Sequence, residues 1–141
     1  SNTATVIGAG ITTPVTADET LPVSIEPALA ITKALSPTSV PENGQLTYTF
    51  VISNYGATDA DATDNIVITD NFDPVLNTIT VTYNGTNLEE GTDYTYDETA
   101  GLFATIGGRI TVPAATYSQD PTTGEQIITP GSSVLTVTGT V

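Results

Sequence analysis

Period-two alternation of apolar and hydroxyl side chains runs through almost the whole chain, and it leaves little choice of fold. Leu46, Tyr48, Phe50 and Ile52 alternate with Thr47, Thr49 and Val51. Ile79, Val81 and Tyr83 alternate with Thr78, Thr80 and Thr82, and Leu135 and Val137 with Val134, Thr136 and Thr138. Successive side chains of a strand point to opposite faces, so each run has one apolar face and one threonine face. Threonine is β-branched and tolerates water, which suits the outer face of an antiparallel sheet. Turn signals separate the runs: Asn43-Gly44, Asn84-Gly85, Gly107-Gly108, Asp120-Pro121 and Pro130-Gly131. No stretch shows a helical period. The pattern predicts an all-β antiparallel β-sandwich of two sheets, with Tyr48, Phe50, Ile52, Ile68, Val81 and Leu135 in the core.

Composition narrows what such a sandwich does. The chain of 141 residues, 38% hydrophobic, is long enough for one domain with a real core. It contains no His, Cys, Met or Trp, which removes most nucleophile–base pairs, thiolate metal sites and disulfides. Turnover of an external substrate is not expected, and no cofactor is implied. The net charge of -14 argues against nucleic acid and anionic membrane, which reward Lys and Arg, and it keeps monomers apart until something specific joins them. There is no apolar run long enough to span a bilayer and no signal peptide with a basic n-region, so membrane insertion is not expected. A threonine-rich, lysine-poor chain accords with an extracellular β-protein. Its strand-like start at Ser1-Asn2-Thr3 reads as a processed or excised piece.

Three polar residues break the alternation from the inside. Lys33, one of two basic residues, lies between Ile31 and Leu35 on the apolar parity of its run. Asp70 ends the inward series Ile66, Ile68, Asp70, and Asn2 opens the series Asn2, Ala4, Val6. A buried ammonium requires a partner or the loss of its charge. A lysine, an acid and an asparagine facing inward from different strands are the ingredients of a spontaneous Lys–Asn isopeptide bond.

The chain divides unevenly. Ser1 to Gly10 fits one strand, and Ile11 to Pro27, with Pro14, Pro22 and Pro27, reads as an extended spacer. Residues 1–27 are thus expected to form an N-terminal strand and spacer, and residues 28–141 the sandwich. The first strand could equally fold back on its own domain, since the spacer is long enough.

From Lys33 onward three motifs occur in order: Ile31-Thr32-Lys33, then Gln45 to Gly56 with its Asn54-Tyr55-Gly56 end, then Ile66-Val67-Ile68-Thr69-Asp70-Asn71-Phe72. In these pieces the chain resembles the DUF11 family, a conserved repeat found in tandem in prokaryotic surface proteins. The resemblance implies an immunoglobulin-like sandwich serving as a structural module. That family ends with a strand of the type Asn-x-Ala-x-Val, and here the matching piece, Asn2-Thr3-Ala4-Thr5-Val6, stands at the other end of the chain. The expected arrangement is therefore a permuted repeat lacking its final strand. A neighbour would supply that strand by donor-strand complementation, with Asn2, Ala4 and Val6 as donor residues, entering beside the strand that ends at Val141.

The resemblance also gives the inward residues roles: Lys33 and Asn2 as the cross-linked pair, and Asp70 as the assisting, catalytic acid. Desolvation favours the neutral amine and the protonated acid, which polarises the Asn2 carbonyl as ammonia leaves. Fixed proximity supplies the rest without a cofactor. The bland alternative is an ordinary buried Lys33–Asp70 ion pair. Other charged groups read as solvated: Asp59, Asp61 and Asp64 in a turn, and Glu89, Glu90, Asp93, Asp97 and Glu98 as a face after an Asn-Gly turn, while Arg109 after Gly107-Gly108 reads as a strand-end charge. None has EF-hand spacing, and no metal site is expected. The sequon Asn84-Gly85-Thr86 is of a kind that occurs by chance.

The expected function is that of a structural subunit of an extracellular, cell-surface fibre or pilus, a homopolymer whose partners are identical subunits. The alternative is a passive spacer or stalk module of a large surface adhesin. A glycan- or Ca²⁺-binding module finds less support, because Tyr48, Tyr55, Tyr83, Tyr94, Tyr96 and Tyr117 are scattered and mostly on core parity.

Overall fold

The computed structural model describes residues 5–8, 11–16 and 26–141. In chain order the strands are β1 (Thr5–Gly8), β2 (Ile11–Thr16), β3 (Leu29–Ser36), β4 (Gln45–Asn54), β5 (Val67–Asn71), β6 (Asn77–Tyr83), β7 (Thr86–Asn87), β8 (Tyr94–Asp97), β9 (Leu102–Thr105), β10 (Thr116–Gln119), β11 (Gln126–Thr129) and β12 (Gly131–Thr140). The helical content among the described residues is one 3-10 turn, Ala62–Asp64. One sheet has the order β3-β4-β12-β6-β7 and the other β2-β1-β5-β9-β8, with β10-β11 as a separate hairpin. All strand pairings are antiparallel.

The alternation read from the sequence decides which face is buried. Along β4 every second residue from Leu46 to Asn54 is buried, while Thr47, Thr49, Val51 and Ser53 are half-buried on the other side. β12 repeats this with Ser133, Leu135, Val137 and Gly139 inward. All six core residues expected from parity are buried. Phe72, just after β5, joins the two layers. It stacks on Tyr48 of the facing sheet at 4.6 Å with the rings 8° apart and lies 5.6 Å from Phe103 on β9, the neighbour of β5. Tyr96 flanks it at 5.7 Å, its hydroxyl donating to the Leu76 carbonyl at 2.6 Å and accepting from the Leu76 amide at 3.1 Å. Each such aromatic contributes about 1.5–3 kcal/mol by leaving water.

Turn chemistry follows the expected residues. Asn84 and Gly85 both have positive φ, 49° and 84°, the two-residue turn that joins β6 to β7. The Asn84 side chain accepts from the Val134 amide at 2.8 Å and donates to Ser133 Oγ at 3.4 Å, so the sequon asparagine is docked on β12.

Two expectations about the N-terminal segment change. Ile11–Thr16, read as spacer, is a strand that pairs with β1. It is outermost in its sheet, where Pro14 removes no bond from a central ladder. Nor does β12, which ends next to Val141, offer an edge for a donor. It is paired with β4 along its length on one side and with β6 on the other. β1 instead lies in the opposite sheet, against β5 of its own chain, in the register Thr5↔Thr69, Val6↔Ile68, Ile7↔Val67. The parity of an inward face is visible in sequence; which strand lies beside it is not.

Candidate cross-link site

β3 and β5 belong to different sheets, and each turns one ionisable side chain into the space between them. Lys33 stands across from Phe50 in the β3–β4 register, and Asp70 across from Phe103 in the β5–β9 register. Lys33 Nζ lies 2.6 Å from Asp70 Oδ2, with side-chain exposures of 14% and 0%. Asp70 Oδ1 accepts from the Asn71 amide at 2.9 Å, and Oδ2 has no hydrogen bond besides its ion pair with Lys33. A charged contact this short and this dry is stronger than a surface pair, but each ion has lost most of its hydration.

The floor of the site is Tyr48, whose ring centroid lies 4.8 Å from Lys33 Nζ. This cation–π contact was not foreseen, although Tyr48 faces Leu35 in register and so stands next to Lys33 along the strand pair. Burial, and then the charge of Asp70, push the Tyr48 phenol up to about 12. Its hydroxyl donates to the Pro74 carbonyl at 3.3 Å.

The structure thus brings together two of the three residues named from sequence. Asn2 lies outside the described residues, as does Ala4 of the donor series. Val6 is placed by its backbone across from Ile68. Thr5, three residues after Asn2 in the sequence, stands across from Thr69, the neighbour of Asp70.

A further polar residue at the core enters the sequence reading only as part of the Asn54-Tyr55-Gly56 motif. Asn54 is fully buried, and its side chain ties three segments together. Oδ1 accepts from the Ala28 amide at 3.0 Å and the Gly56 amide at 2.9 Å, while Nδ2 donates to the carbonyls of Thr58 at 2.9 Å and Val112 at 3.4 Å. Gly56 is required as well, because a Cβ there would stand 1.8 Å from the Glu26 carbonyl oxygen. The Asn-x-Gly spacing at the end of a strand was the available signal. Its role is structural.

The acidic loops are committed to local turns. Asp59 accepts from the Ala114 amide at 2.6 Å, and Asp61 and Asp64 form a reciprocal capping box around the 3-10 turn. Hydrogen bonds from Thr63 hold the Asp61 carboxyl below the ordinary range. Asp97 and Asp120 cap turns in the same way, and Arg109 pairs with Asp93 at 3.7 Å. No group of three or more carboxylates suited to a metal gathers among the described residues.

No protein-family model matches the chain, and comparison with curated proteins and with solved structures finds no match.

Proposed function

We propose that this chain is a structural subunit of an extracellular fibre or pilus, joined head to tail by exchange of its N-terminal strand and locked by an amide between Lys33 and Asn2. The observation that carries the reading is the dry contact between Lys33 and Asp70 across the sandwich, beside the slot that β1 occupies on β5. Such a pair is a costly way to hold two sheets together, since apolar residues of the same volume do it as well or better. It is a good way to keep an amine and an acid in one dry place for a reaction.

The step balances without a cofactor. Lys33 passes a proton to Asp70 Oδ2, and the neutral Nζ attacks the Asn2 side-chain carbonyl. Asp70 then gives that proton to the departing nitrogen and takes up the second proton that Nζ sheds as the amide forms, which leaves with the ammonia as ammonium. A C–N bond to lysine forms, the C–N bond of the carboxamide breaks, and ammonia leaves. The Tyr48 ring holds the amine in place from below.

The edge of β5 accepts the strand Thr5–Gly8 in antiparallel register. The same segment of a neighbouring subunit makes the same contacts, as in domain swapping. Pairing of β1 with its own β5 favours the second reading, a self-closed stalk module in a surface protein.

Peptide mapping of assembled material after cleavage at aromatic residues tests the proposal. The expected result is a branched peptide joining Lys33 to Asn2 with loss of ammonia, together with a ladder of multimers that survives boiling in detergent. Lys33→Ala and Asn2→Ala each abolish the ladder. A link found only within one chain supports the stalk module, and quantitative recovery of the free Lys33 amine ends the covalent claim. Deleting residues 1–23 stops assembly of a fibre subunit and merely weakens a self-closed module.

A further inference from the structure

The outer face of the β3-β4-β12-β6-β7 sheet has no charged residue, in a chain of net charge -14. Its outward positions on β4 are Gln45, Thr47, Thr49, Val51 and Ser53, and those on β12 are Ser132, Val134, Thr136, Thr138 and Thr140. Register lines them up in rows: Ala34, Thr49, Thr136 and Thr82 form one, and Ser36, Thr47, Thr138 and Thr80 the next. The acids are elsewhere. In the described strands they are Asp70 and Asp97, both in the opposite sheet, and the remaining described ones lie in turns and loops.

We infer that this face is where a second copy of the chain packs, face to face about a two-fold axis. Three observations favour that occupant. Charge is the first: the described acids lie in turns, in loops and on the opposite sheet, so two copies that meet on this face bring no carboxylates together. The second is chemistry. A hydroxyl both donates and accepts, so two identical threonine faces complement each other, as two carboxylate faces cannot. Four of the hydroxyls are already partnered with one another within the sheet. Thr47 bonds Thr138 across the β4–β12 pair at 2.9 Å, and Thr82 bonds Thr136 across the next, so covering them strands few polar groups. Size is the third. Four strands spaced about 4.8 Å apart and about 30 Å long present roughly 600 Å² per copy, or about 1,200 Å² in all, the lower end of specific interfaces.

The association is therefore weak and reversible, and its dependence on salt is opposite to that of a charge-paired interface. Near 1 M ionic strength the Debye length falls to about 3 Å, which relieves the repulsion between two acidic bodies and tightens the pair. In a fibre this contact runs side by side, independently of the strand exchange proposed above.

Sedimentation of the full chain over a concentration series tests it, with Thr136→Asp and Thr49→Asp against Thr95→Asp in the opposite sheet. All three variants change net charge equally. The expected result is a reversible dimer that tightens with salt, weakens at least tenfold in the first two variants and is unchanged in the third. Circular dichroism confirms that each variant folds. Because the chain has no cysteine, a nitroxide on Thr136→Cys gives a second readout: contact broadening on dimerisation that is absent for Ala104→Cys. A wild-type monomer at millimolar concentration overturns the inference, as does equal weakening by Thr95→Asp. Oligomers without broadening at Thr136→Cys overturn it too, and leave strand exchange standing. If an added polysaccharide, rather than a second copy, alters the Thr136→Cys spectrum, the occupant is wrong.

Discussion

The β3-β4-β12-β6-β7 sheet carries unbroken ladders of eight residue pairs between β3 and β4 and ten between β4 and β12, whereas the opposite sheet is stitched from runs of three and four. The first sheet is held by its own backbone and by the register of threonines along its outer face. The second depends on more than its ladders: the packing of its Phe72 against Tyr48 and Phe103 in the interior, the Lys33–Asp70 contact from across the sandwich, and β1 along the edge of β5. A sandwich built this way has one autonomous layer and one dependent layer. The proposed chemistry sits where the dependent layer is anchored.

Removing the interior anchor should have the largest effect. Phe72→Ala vacates a site touched by Tyr48, Phe50, Tyr96 and Phe103, and is expected to cost about 4 kcal/mol in denaturant unfolding. A cost below 1 kcal/mol would mean that the layers do not depend on this junction. Next comes Asp70→Ala, which leaves Lys33 in a dry pocket without its counter-ion and is expected to cost about 3 kcal/mol. The paired change Lys33→Met with Asp70→Leu should recover most of that loss, because the dependent layer needs contact there rather than charge.

Deleting residues 1–16 sharpens the comparison by hydrogen exchange. Backbone amides of β5 should exchange at least tenfold faster, while those of β4 keep their protection between β3 and β12. Uniform acceleration across both sheets would show that the layers unfold as one unit.

Smallest is an effect of alkaline pH. Burial raises the phenols of Tyr94 and Tyr96 as well as that of Tyr48, which reaches about 12 from an ordinary 10.0. A phenol with a raised value in the folded state favours folding fully below pH 10. That contribution is lost as the pH climbs from 10 through 12. Tyr48→Phe should flatten this loss without altering the stability profile near neutrality. An unchanged alkaline profile would assign the loss to Tyr94 and Tyr96.

Much of this was legible in sequence because strand parity is a local property. Thr47 against Tyr48 and Thr136 against Leu135 announce two faces and a core, and the same parity turns Lys33 and Asp70 inward. What stayed hidden depends on contacts across the chain. The place of β1 beside β5 rather than β12 follows from β12 being enclosed by β4 and β6. Pro14 argued for a spacer, but on an outermost strand it is harmless. The Tyr48 ring beneath Lys33 and the four hydrogen bonds of Asn54 join positions that only the folded sheets bring together.

Burial of Lys33 also bears on resistance to proteolysis. Proteases of the trypsin class cut after lysine or arginine, and this chain offers two such positions. Lys33 lies mostly withdrawn between the sheets, with its backbone in the β3–β4 ladder. That leaves the bond after Arg109, in the turn that follows Gly107-Gly108, where the arginine side chain is 48% exposed. A cut there separates two pieces that β4 and β12 still hold together through their ten-residue ladder, so the nicked molecule keeps its shape.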